Sequence, residues 1–89
     1  MIGPVEATIR NSRGLHARAA AKFVKLAETF DACLTVEKDG QSVTGTSIMG
    51  LMMLGAFQGS SITISASGQQ AEEALKAVVE LVELGFHED

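Results

Sequence analysis

Along this chain of 89 residues the hydrophobic period switches repeatedly between two and about 3.6, and the order of those switches restricts the fold more than any other feature. Val5, Ala7 and Ile9 alternate with Glu6, Thr8 and Arg10, the pattern of a half-buried strand. Asn11-Ser12-Arg13-Gly14 has turn composition, and residues 17 to about 29 are rich in helix formers. Ala32, Leu34 and Val36 then alternate with Cys33, Thr35 and Glu37; Asp39-Gly40 signals a tight turn, and residues 41–45 return as a shorter strand around Val43. Ser47 is a good N-cap for a short apolar helix that residues 55–59 break. Ile62, Ile64 and Ala66 mark a fourth strand, and residues 68 to about 84 read as a helix with Ala71, Leu75, Val78 and Val82 on one face and Gly85 as its stop. The expected fold is α+β, β-α-β-β-α-β-α, a largely antiparallel four-stranded sheet with helices on one face, in one domain over residues 1–89.

A chain this short has no room for separate cofactor and substrate domains, and no cofactor is expected. Its single cysteine, Cys33, excludes an intrachain disulfide, and His16 and His87 stand too far apart for a zinc motif, so no metal site is expected. No stretch approaches the roughly 20 apolar residues of a membrane span, and Glu6 stands where a secretory peptide would carry basic residues. The expectation is a cytoplasmic protein without membrane insertion. A net charge of −4, with neither Trp nor Tyr, argues against nucleic-acid binding. Charge position says more than the sum. Arg10, Arg13, Arg18, Lys22 and Lys25 share an early segment without a carboxylate, while Glu72, Glu73, Glu80, Glu83, Glu88 and Asp89 load the other end. His87 belongs to what reads as a frayed acidic tail and is given no role.

His16 falls between a glycine-containing turn and an alanine-rich helix, where free amides and the helix dipole favour an anion such as a phosphoryl group. The bland alternative is a surface cap. Arg18 occupies the first helical turn, where positive charge opposes the dipole, so its planar fork reads as a clamp for phosphoryl oxygens. Arg18, Lys22 and Lys25 follow i, i+4, i+7 spacing, and their mutual repulsion asks for an acidic partner or an anion; a solvated basic face is the other reading for the lysines. At 100° per residue the short helix has two apolar faces. Leu51 and Leu54 fit the sheet, leaving Ile48, Met49, Met52 and Met53 either as an adaptable docking surface or under a neighbouring segment. Ser47 needs no role beyond its cap.

The segments Gly14-Leu15-His16-Ala17-Arg18 and Thr46-Ser47-Ile48-Met49-Gly50-Leu51-Met52 resemble the two signatures of the HPr family, the histidine-containing phosphocarriers of the phosphotransferase system. The resemblance spans nearly the whole chain. It implies an open-faced β-sandwich in which His16 accepts a phosphoryl group on Nδ1 from phosphorylated enzyme I and passes it to an enzyme IIA. Arg18 would steady the group. Ser47 matches the serine that HPr kinase/phosphorylase modifies, and Ile48, Met49, Met52 and Met53 match the partner-docking surface, with Lys22 and Lys25 as adjoining cations. Such a protein is a monomeric carrier between enzymes rather than a stand-alone catalyst. Ala19 and Thr46 depart from the proline and lysine of many members, and the alanine looks like the NPr relatives, leaving sugar uptake and nitrogen regulation both open. A small regulatory or ligand-binding module is the competing class.

Overall fold

The computed structural model describes residues 1–88. Its elements, β1 (Ile2–Thr8), α1 (Ala17–Ala27), β2 (Cys33–Lys38), β3 (Gln41–Thr44), α2 (Ile48–Met53), β4 (Ser61–Ser67) and α3 (Ala71–Glu83), follow the order that the hydrophobic periods require. The strands form one antiparallel sheet in the order β1-β4-β2-β3. Register decides which residues reach the core. Leu34 lies opposite Ala66, Val36 opposite Ile64 and Ala7 opposite Ile62, so these buried side chains share one face. Thr35 with Ser65, and Glu37 with Thr63, line the other, polar face, which leaves the sheet open on that side.

The covered face carries the helices. α3 buries Ala74, Leu75, Val78, Leu81 and Val82 and packs on β1, β4 and β2, while α1 turns Ala19, Ala20, Phe23, Val24 and Ala27 inward and rests against α2 and α3. α2 inserts Leu51, and Leu54, the residue that caps its end, enters the same core.

Several expected boundaries move, each for a local reason. Val5 shares the face of Ile64, but it sits on the outer strand beside an irregularity in the β1–β4 pairing and stays 38% exposed, so it does not belong with Ala7 and Ile9 in the core. Ile9 lies beyond the strand yet is buried, held by its backbone bonds to Ser60 and Gly59. α1 stops two residues short of Thr29, whose amide and hydroxyl both turn back to the Leu26 carbonyl. α3 begins at Ala71 rather than at residue 68, because Gly68 takes φ +110° and the Gln70 amide donates to Asp31 instead of joining a helix.

The largest correction is the tail. Beyond α3 the chain makes a tight left-handed turn, with φ +67° at Gly85, +58° at Phe86 and +59° at His87, and it drives Phe86 fully into the core. Lys22 Nζ donates to the Phe86 carbonyl at 2.7 Å, pinning the turn to α1. The end of the chain through Glu88 is therefore docked rather than frayed; Asp89 lies outside the described residues.

Candidate functional site

The loop before α1 is built around Gly14 and Asn11. The buried Asn11 side chain donates from Nδ2 to the Gly14 carbonyl at 2.8 Å, and the Leu15 amide donates to the Ala56 carbonyl at 3.0 Å. Leu15 is buried, so the next residue, His16, must emerge at the rim. There it is the N-cap of α1 by position, with extended backbone, and its carbonyl accepts the first helical bond from Ala20 at 2.8 Å. Its ring does not cap the helix. The plain capping role is thereby removed for the side chain, and the amides of Ala17, Arg18 and Ala19 precede the first intrahelical bond in a first turn with no acidic residue.

The ring points instead to the terminal turn. His16 Nε2 lies 2.9 Å from Glu88 Oε2 and 3.1 Å from Oε1, with the two side chains only 22% and 11% exposed. Asn11 Nδ2 reaches the same carboxylate at 3.0 Å. Burial raises the cost of charge on Glu88, but the hydrogen bonds from His16 and Asn11, with the charges of His16 and Lys22, outweigh it and hold the carboxyl below its usual range. Glu88 and Asn11 are the site residues that sequence reasoning missed. The available signal was Phe86, a large apolar residue just past a helix stop, which requires the chain to turn back into the core.

The remaining candidates separate into two groups. Arg18 stands exposed in the first turn of α1, and no described residue partners it. Lys22 spends a proton on the Phe86 carbonyl, so part of the repulsion along α1 is relieved within the chain itself, through the terminal turn and Glu88. Lys25 remains exposed. Lys22, Lys25 and His87 border a shallow hollow of about 370 Å³ floored by Leu26 and Leu81.

On α2 the Ser47 Oγ accepts from the Gly50 amide at 2.9 Å, the expected cap. The two-faced reading of this helix holds. Leu51 and Leu54 are buried, while Ile48 and Met52 are each 40% exposed, Met49 68% and Met53 74%, and Phe57 adds to the apolar surface. Among the described residues no neighbouring segment covers them.

Comparison with known proteins agrees over nearly the full chain. Residues 5–83 match the family described as PTS HPr component phosphorylation site. The chain is 46% identical over 85 residues to phosphocarrier protein HPr of Pseudomonas aeruginosa, covering 94% of each, and 42% identical over 83 residues to phosphocarrier protein NPr of Shewanella violacea, covering 93% of this chain and 91% of that one. The crystal structure of HPr-C-His from Thermoanaerobacter tengcongensis superposes with a TM-score of 0.92 at 46% identity, covering 99% of both chains. A rim histidine at the start of α1, a capped apolar helix beside it and this breadth of similarity lead to one assignment: the chain belongs to the HPr family of phosphotransferase-system phosphocarriers.

Proposed function

We propose that this chain is a phosphocarrier domain over residues 1–89 that takes a phosphoryl group on Nδ1 of His16 from phosphorylated enzyme I and delivers it to an enzyme IIA. The observation that carries the reading is the placement of the His16 ring: at the rim, at the N-terminus of α1, and not used as a cap. A phosphoryl group on that ring would meet helix amides and a positive dipole end, and Arg18 would add donors as charge develops on the transferring oxygens. Ile48, Met49, Met52 and Met53 supply the apolar surface on which partners dock, and Lys25 a flanking cation for acidic partners. Ser47 is the candidate for regulation by HPr kinase/phosphorylase: a phosphate there would border the docking surface and repel acidic partners. The carrier works as a cytoplasmic monomer. The identity of the enzyme IIA that accepts its phosphoryl group assigns it to sugar uptake or to nitrogen regulation.

Incubation with enzyme I and phosphoenolpyruvate tests the proposal. The expected result is a mass gain of one phosphate that brief acid treatment removes, and no gain in His16→Ala, which should stay folded because the ring contributes little to the core. Labelling of His16→Ala at the wild-type rate overturns the assignment.

A further inference from the structure

The site's least expected feature is its dependence on the end of the chain. Two non-glycine residues in succession, Phe86 and His87, adopt left-handed backbone, a conformation that L side chains disfavour. Full burial of the Phe86 side chain offsets that strain. Among the described residues the turn is further attached by the Lys22 bond to the Phe86 carbonyl and by the contacts of Glu88. Strained backbone of this kind persists where the surroundings over-determine it, commonly beside functional groups. Here its effect is to bring one carboxylate onto one ring nitrogen.

We propose that Glu88 is a positioning residue for His16: its carboxylate, steered by Asn11 and delivered by the left-handed terminal turn, holds the ring with the proton on Nε2 and the lone pair on Nδ1. The inference deepens the phosphoryl-acceptor reading of His16 and rests on it. An ionised carboxylate can only accept, so a 2.9 Å contact with Nε2 requires a proton on Nε2. In the neutral ring the other nitrogen is then the nucleophile. Among the described residues the hydrogen bonds of the ring fall on Nε2 and not on Nδ1.

The same contact serves the transfer. The Nδ1 lone pair forms a bond to phosphorus while the bond from phosphorus to the donor breaks, its electron pair staying with the donor. No proton moves. The ring gains positive charge while keeping Nε2–H, and the fixed carboxylate of Glu88 faces that charge as it develops. Asn11, held at once by Gly14 and Glu88, links the loop that places the ring to the turn that places the carboxylate.

The test compares the full chain with Glu88→Gln, whose amide can accept from Nε2–H or donate to an Nε2 lone pair and so supports either tautomer. Ring ¹⁵N chemical shifts of the neutral, unphosphorylated protein should report a single Nε2–H tautomer in the native chain and a mixture in Glu88→Gln. Phosphorylation of His16 by enzyme I should slow roughly tenfold in the variant, the size expected for one charge-assisted hydrogen bond. Identical ring shifts in the two proteins overturn the proposal, as does an altered tautomer ratio with an unchanged rate. Failure of the native chain to take up phosphate would instead defeat the carrier reading, while the ring shifts would still decide whether Glu88 sets the tautomer.

Discussion

A Cβ built on Gly14 would collide with the Ala56 carbonyl oxygen, and the residue takes φ +66°. Glycine is required there on two independent grounds, close approach and left-handed backbone. The same residue gives its carbonyl to Asn11 Nδ2 and to the His16 amide, so the position of the site histidine is inherited from a glycine two residues earlier. Gly14→Ala should therefore cost about 2–4 kcal/mol of stability, because the backbone must leave its well and the Ala56 segment must move as well. Urea unfolding checks the figure. A loss below about 0.5 kcal/mol, the size of an ordinary surface substitution, would show that the loop can yield without consequence.

At the scale of elements, α2 is too short to persist alone, since helices of fewer than about 12 residues are marginal in water. Two burials, Leu51 and Leu54, and one cap, Ser47, hold it. Ser47→Ala should cost about 1 kcal/mol in thermal or denaturant unfolding, whereas Ser47→Asp keeps an acceptor for the Gly50 amide and should unfold close to the native chain. Equal losses in the two variants would mean that the cap is not what the serine supplies. This helix was legible in the sequence because its cap and its two faces are set by residues within one or two turns. So were the strands, where Ile62, Ile64 and Ala66 alternate cleanly, and His16, whose helix-start position is also local. Val5 was misplaced because edge exposure depends on which strand lies outside it, and order in the sheet is not written in any one segment. Glu88 was missed for the same reason on a longer scale: its partners, Asn11 and His16, lie 77 and 72 positions away.

At the scale of the whole molecule, two carboxylates among the described residues, Glu83 and Glu88, fasten the C-terminal part to the N-terminal segment. Glu83 accepts from the Thr8 amide at 2.9 Å and from Arg10 at 3.0 and 3.1 Å, and Glu88 accepts from Asn11 and His16. The Thr8 amide first, then the Arg10 hydrogen bond and charge, hold the Glu83 carboxyl below its ordinary value near 4.5 despite partial burial. Glu88 is depressed likewise, its hydrogen bonds and neighbouring charges overcoming desolvation. A depressed folded-state pKa contributes stability that is fully present above the unfolded value. As pH falls below about 4.5 the unfolded chain takes up these protons before the folded chain does, so unfolding free energy declines with pH until the folded values are passed. Both carboxylates close the same long loop between chain ends, so acid should loosen the terminal turn and the mouth of the site together. Glu83→Gln and Glu88→Gln should each lower stability at pH 7 and each reduce the slope of stability against pH below 4.5. Unfolding measured from pH 7 down to pH 3 checks this, and a slope as steep in the double variant as in the native chain would place the acid sensitivity in other carboxylates.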